Sequence, residues 1–344
     1  MMLNARTRKS RGRARTPPPP TPFELYRTRL GTALVGQAED WLPSLPPGSV
    51  DLVMTSPPFA LLREKAYGNL DQDVYVDWLV SFGPLVRRIL RDTGSFVLDL
   101  GGAYQRGMPV RSLYNYRVLL RLCDEWGFHL AEEFFWHNPC KLPSPIEWVN
   151  KRKIRAKDSV NTVWWLSKTE SPKADVRKVL TDYSPRMRKL LEDPVKFVQP
   201  KERPSGHDVG LRFGKDNGGA IPSNLLRYPN TESNSLYLRL CNRFGLPAHP
   251  ARFPEALPEF FVKFLTEPGD VVVDIFAGSN ATGAAAERLG RKWLAIDAER
   301  DYVLTSAFRF LEGSTDADVK EYLDAARRQC RSSGSDSPLR LQAA

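Results

Sequence analysis

Val50-Asp51-Leu52-Val53-Met54-Thr55-Ser56-Pro57-Pro58-Phe59 sets a buried strand directly against a turn that cannot extend it. The first five residues are apolar apart from Asp51, partly β-branched and introduced by Pro46-Pro47-Gly48-Ser49, the pattern of a strand covered on both faces in a parallel sheet. Two consecutive prolines remove two backbone donors and fix the local dihedrals, so the chain leaves the sheet at its carboxyl end. The result is a rigid, exposed turn with a hydroxyl before the prolines and an aromatic ring after them. Alone, such a turn is an ordinary strand terminator; a second unit downstream gives it a partner.

Val271-Val272-Val273-Asp274-Ile275-Phe276 repeats the buried-strand pattern. It runs into Ala277-Gly278-Ser279-Asn280-Ala281-Thr282-Gly283 and then a helix-forming Ala284-Ala285-Ala286-Glu287-Arg288-Leu289 closed by Gly290. Strand, glycine turn and helix handle nucleotides, because glycine lets the backbone approach a ligand and a helix start offers unpaired N–H groups. Spacing narrows the choice. A dinucleotide site wants G-x-G-x-x-G, and only Gly278 and Gly283 are present; a phosphate loop wants Lys and then Ser or Thr after its last glycine, and Ala284 and Ala285 follow. Lys292-Trp293-Leu294-Ala295-Ile296-Asp297 reads as the next strand, ending in an acid placed to accept hydrogen bonds from ribose hydroxyls. An adenosine without a pyrophosphate suits this better than NAD or ATP.

The motif at 276–283 resembles the S-adenosylmethionine motif, and that at 55–59 the catalytic motif, of the DNA amino-methyltransferases. Their order, catalytic motif first, is that of the β class. The likeness runs from about residue 34 to 310 through segments 141–148, 161–169 and 249–254, and is to the PvuII-type DNA cytosine-N4 methyltransferases. It implies an α/β, Rossmann-like S-adenosylmethionine-dependent methyltransferase fold, circularly permuted, with an inserted target-recognition region. The S-P-P-F form is typical of cytosine-N4 enzymes, whereas adenine-N6 enzymes more often carry D-P-P-Y. Adenine-N6 transfer stays open as an alternative, as does a non-catalytic DNA-binding protein, which would have no use for the Gly278–Gly283 turn. The PvuII-type likeness also suggests CAGCTG as the target and a restriction–modification system as the setting.

The resemblance implies catalytic roles for Ser56, Pro57, Pro58, Phe59 and Asp99. Asp99 ends an apolar strand pattern beside the catalytic turn, where it either orients Ser56 or is a solvated loop acid. Contacts to S-adenosylmethionine are implied for Gln37, Thr55, Pro250, Phe253, Asp274, Phe276, Ala277, Gly278, Ser279, Thr282, Gly283 and Asp297. The family often has Asp where Gln37 stands; an amide can also bond the adenine edge, or the segment is merely a strand end. The densest basic run of the body supplies Lys151, Arg152, Lys153, Arg155 and Lys157, read as phosphate contacts against the alternative of a solvated face. His207 and Lys215 are assigned to DNA by position alone.

The remaining expectations are coarser. Residues 1–22 form a basic, proline-rich tail expected to be disordered, 23–170 the catalytic half, 171–245 the target-recognition region, 246–312 the cofactor-binding half and 313–344 a polar, partly helical tail of no evident function. One helix is expected over 75–90, another over 116–126, and strands over 132–136 and 162–168. The formal charge is +10, but the tail holds six basic residues and no acid, leaving +4 for the rest, a weak pointer to nucleic acid. Cys123, Cys140, Cys241 and Cys330 lack C-x-x-C spacing, which suits reduced thiols and gives no metal site. No apolar run approaches a membrane span. The expected partner is double-stranded DNA, with no membrane and no metal, in a cytoplasmic monomer paired functionally with a restriction endonuclease but without a stable complex.

Overall fold

The computed structural model describes residues 22–59, 72–194, 214–332 and 337–341. Ten strands among these form a single sheet. In chain order they are β1 (Phe23–Arg27), β2 (Gly31–Val35), β3 (Val50–Thr55), β4 (Leu90–Leu100), β5 (His129–His137), β6 (Val160–Ser167), β7 (Leu225–Arg227), β8 (Val271–Asp274), β9 (Lys292–Asp297) and β10 (Leu339–Arg340). Across the sheet they run β10-β1-β2-β9-β8-β3-β4-β6-β5-β7. The central five, β2, β9, β8, β3 and β4, are mutually parallel, and β6 returns antiparallel beside β4.

β3 is buried at every position, its apolar residues by packing and its Asp51 with a hydrogen bond from the Val271 amide at 3.0 Å. Its side chains alternate between two cores: Leu52 and Met54 join the one beneath helix Ala256–Leu265, while Val53 joins the one beneath helices Gln72–Val80 and Tyr114–Trp126. From the β3/β8 junction the chain builds outward in opposite directions, to β4 on one side and β9 on the other. That reversal opens a crevice at the carboxyl edge. Because β6 is antiparallel, its first residues lie at the same edge as the last residues of β4.

One helix expectation needs correction. The helix expected over 75–90 is two helices, Gln72–Val80 and Gly83–Ile89, because Pro84 has no N–H and fits only the first turn of a new helix. The tail expected to be polar and partly helical contains helix Asp316–Arg331, started by a Thr315/Asp318 capping box. Val319, Tyr322, Leu323 and Ala326 form one buried face of it at helical spacing, and β10 then pairs with β1. The expected strand at 132–136 extends over His129–His137, and the one at 162–168 runs Val160–Ser167.

The described parts of 171–245 are tied to the rest. β7 pairs with β5, and helix Leu236–Arg243 sends Tyr237, Leu240 and Cys241 into the core that holds Phe308. The basic amino-terminal tail, most of the polar loop after Phe59, and His207 lie outside the described residues.

Candidate active site

Asp274 ends β8 with its carboxylate only 2% exposed. Thr55 donates to its Oδ1 at 2.7 Å, Thr282 to its Oδ2 at 2.7 Å, and the Phe276 amide to its Oδ1 at 3.1 Å. The same Phe276 amide reaches Thr55 Oγ1 at 3.1 Å. Asp274 therefore sits behind the crevice and clamps the hydroxyl turn of β3 to the glycine turn of β8. Thr55 and Thr282, expected at the cofactor, are also 1% exposed and belong to this clamp. Burial raises the Asp274 carboxyl to about 6, against the lowering effect of Thr55, Thr282 and the Phe276 amide.

One residue beyond Thr55, Ser56 emerges into the crevice and donates to Asp99 Oδ2 at 3.0 Å. Asn161, at the start of β6, donates from Nδ2 to Asp99 Oδ1 at 3.2 Å. Asp99 is 1% exposed; burial pushes its carboxyl to about 6, with Ser56, Asn161 and the Lys141 charge pulling it down. The Phe59 ring lies on Gly101, where a Cβ would stand 2.5 Å from its Cε2, so only glycine admits the ring there. Phe276 opposite belongs to an aromatic cluster with Trp78 and Phe82, centroids 5.4 and 5.2 Å away.

The glycine turn is fixed from several sides. Gly278 has φ +49°, and a Cβ there would stand 3.0 Å from the His249 ring. Its amide donates to Asp297 Oδ2 at 2.7 Å, and the Glu299 amide donates to Asp297 Oδ1 at 2.9 Å. Each carboxylate oxygen keeps a further lone pair for a ligand hydroxyl. Burial raises this carboxyl to about 6, and the Asp274 charge adds to the rise. Asn280 caps helix Ala281–Arg288 from a left-handed conformation, its side chain accepting the Gly283 amide at 3.0 Å. Arg309, 3% exposed, donates from Nε to the Ser279 carbonyl at 2.6 Å and from an η nitrogen to Ser279 Oγ at 3.1 Å. Gln37 is exposed just beyond β2, whose Val35 pairs with Asp297.

A cleft of about 220 Å³ is lined by Ser56, Phe59, Asp99, Phe253, Phe276 and Ser279, whereas Gln37, Gly278 and Asp297 are not among its lining residues. Ala277 lines it too, while Pro250 is an exposed neighbour of the lining residues His249 and Ala251. A small adenosine-bearing sulfonium fits the donor set: a carboxylate with spare lone pairs ends β9, a glycine turn admits close approach, and aromatic rings flank the gap. Sequence reasoning missed Asn161, Arg309 and Asn280 as site residues. Asn161 had a weak signal, a polar side chain just before the strand expected over 162–168; Arg309, 30 residues past the serine it holds, had none.

Lys151, Arg152, Lys153, Arg155 and Lys157 are all exposed. Arg152 lies over the Trp148 ring at 5.2 Å, Lys151 pairs with Glu147 at 3.2 Å, Arg155 donates to the Pro109 carbonyl at 2.7 Å and Lys157 to the Pro139 carbonyl at 3.1 Å. Lys153 adopts φ +55°, and Lys215 is exposed on a separate loop. Among the described residues no group of His, Cys, Asp and Glu could hold a metal ion, and no helix is long and apolar enough to cross a membrane.

A proline-fixed hydroxyl, a glycine turn and a strand-ending acid at the reversal point of a permuted Rossmann-like sheet define an S-adenosylmethionine-dependent methyltransferase. The chain belongs to the DNA methylase family, whose model matches residues 50–308. It is 61% identical over 289 residues to type II methyltransferase M.PvuII of Proteus hauseri, spanning 84% of this chain and 86% of that protein. Type II methyltransferase M.BglII of Bacillus subtilis is 24% identical over 321 residues, 92% of this chain and 79% of that one. Among solved structures, PvuII DNA methyltransferase (cytosine-N4-specific) superposes with a TM-score of 0.72 and 49% identity, covering 91% of this chain and 95% of that one.

Proposed function

We propose that this enzyme methylates the N4 amino group of a cytosine flipped out of duplex DNA at CAGCTG, as the modification component of a restriction–modification system. The observation that carries the reading is the Ser56 hydroxyl held on the buried Asp99 at 3.0 Å, in the lining of the cleft. Identity of 61% to M.PvuII supports the choice of base and target.

S-adenosylmethionine supplies an electrophilic methyl group when bound. Asp297 and Gln37 hold the adenosine part, Phe276 and the 277–279 turn the centre, and Phe253 and Pro250 the methionine end. Cytosine N4 is a poor nucleophile because its lone pair is delocalised into the ring. Ser56 already donates its own hydrogen to Asp99, which leaves its lone pairs to accept one amino hydrogen while the Pro57 carbonyl accepts the other. These contacts favour a pyramidal nitrogen with its lone pair aimed along the line of transfer. Methylation makes that nitrogen cationic and strongly acidic, so a weak base suffices. The Ser56 oxygen takes the proton as its own hydrogen passes to Asp99, which is ionised above pH about 6. A base inside a duplex cannot reach this cleft, so it is extruded and stacks on Phe59.

Lys151, Arg152, Lys153, Arg155, Lys157 and Lys215 hold the phosphate backbone. The enzyme acts as a cytoplasmic monomer, without a stable complex with its endonuclease. DNA treated with enzyme and S-adenosylmethionine should resist an endonuclease that cuts CAGCTG while other sites stay cleavable. Complete cleavage at CAGCTG would remove the target assignment.

A further inference from the structure

A cytosine taken out of its base pair carries two acceptors besides its amino group, N3 and O2, and each must find a donor or be buried unsatisfied. Most donors around the cleft are already committed. Asn161 Nδ2 serves Asp99, Trp136 Nε1 donates to the Tyr228 carbonyl at 2.9 Å, and Asn230 Nδ2 donates to the Arg252 carbonyl at 2.6 Å. Arg252 itself bonds the His249 carbonyl and lies over the Tyr237 ring. Lys141 differs. It lines the cleft with Ser56 and Asp99, half-buried, in a turn closed by its amide on the Asn138 carbonyl at 3.2 Å. No described residue forms a hydrogen bond or ion pair with its ammonium, although its charge acts on Asp99.

We propose that the Lys141 ammonium donates to O2 of the flipped cytosine and thereby sets the preference for cytosine over adenine. The assignment rests on the cytosine-N4 reading above. With their amino groups superposed at Ser56, cytosine and adenine both present a ring-nitrogen acceptor next to it. One position further, cytosine offers the O2 carbonyl and adenine a C2–H. A donor fixed at that position gains a charge-assisted bond from cytosine and is left unpaired, and desolvated, by adenine. Asn138 and Ser159 line the same wall; the Asn138 Oδ1 is anchored by the amides of Cys140 and Asn230, at 3.1 and 3.3 Å, and its Nδ2 is a neutral donor without the charge that strengthens a bond from Lys141.

The test compares single-turnover methylation of two duplexes that differ only in the target base, cytosine or adenine. Lys141→Met keeps the length of the chain and removes the donor. It should slow transfer to cytosine ten- to a hundredfold and leave the rate on adenine within about threefold, so that the preference collapses. Lys141→Gln, a second and milder variant, should recover part of it. A target of 2-thiocytosine, whose sulfur is a weak acceptor, should slow the parent enzyme but not Lys141→Met. Equal losses on both bases would mean that Lys141 acts only through its charge on Asp99 and would overturn the proposal. So would unchanged rates, or a collapse produced by Asn138→Ala instead. A parent enzyme that makes N6-methyladenine would instead sink the cytosine-N4 reading itself.

Discussion

Ser56 is one small polar group with one hydrogen bond, so its removal separates chemistry from folding. Ser56→Ala should leave thermal unfolding and cofactor affinity nearly unchanged and slow single-turnover transfer by about ten- to a thousandfold, the scale for removing one positioned hydrogen bond that tightens in the transition state. A variant with the parent's rate would discard this account of the turn. Asp99 titrates in an accessible range, and its two consequences have opposite signs. Burial lifts its carboxyl from 3.8 to about 6, so its folded form holds a proton that the unfolded chain has already released. That contribution to stability is present below pH about 4 and lost by about 6. Asp99→Asn should therefore be more stable than the parent at pH 8 by roughly 1–3 kcal/mol, with no such gain at pH 4, while its transfer rate loses the acidic limb near pH 6 seen in the parent. Calorimetric melts and pH–rate profiles of both proteins check the pair. Ser56, Asp99 and Asp297 were legible because chemistry-bearing residues end apolar strand patterns. Asp274 ends one too, yet it faces inward, since only the fold reveals Thr55 and Thr282 waiting on either side of it.

At the scale of elements, strands read more clearly than helices. β3 and β8 are short, mostly apolar runs rich in valine, whereas the break at Gly83–Pro84 interrupts a hydrophobic periodicity that carries on undisturbed through it. Helix Asp316–Arg331 was legible only as partial helicity in a polar tail; Val319, Tyr322, Leu323 and Ala326, at helical spacing, are the face that ties it to the core. Replacing Leu323 with Ala should cost about 2–4 kcal/mol by chemical denaturation and leave single-turnover chemistry unaffected in the folded fraction, since the helix packs at the β1 edge, far along the sheet from Ser56. No loss of stability would mean that this helix is dispensable. The exposed basic segment makes a different prediction. Neutralising Lys151, Arg152 and Lys153 together should weaken binding to cognate and non-cognate duplexes alike and flatten the salt dependence by about 0.9 in slope for each phosphate no longer neutralised. If cognate affinity alone fell, these residues would be reading bases.

Across the whole molecule, circular permutation puts the catalytic strand β3 ahead of the cofactor strand β8 in sequence and directly beside it in space. That adjacency was legible from two motifs more than two hundred residues apart because each is a strand, a sharp turn and a ligand-facing group, and an open α/β sheet collects such ends at its reversal point. Recognition of the DNA sequence was not legible. The segment 171–245, expected to carry it, shows no periodicity in sequence that would mark which residues face the groove. The central claim concerns the base that receives the methyl group, and mass spectrometry of nucleosides from a methylated CAGCTG duplex addresses it directly. N4-methylcytosine without N6-methyladenine is the expected product; N6-methyladenine alone would contradict the account.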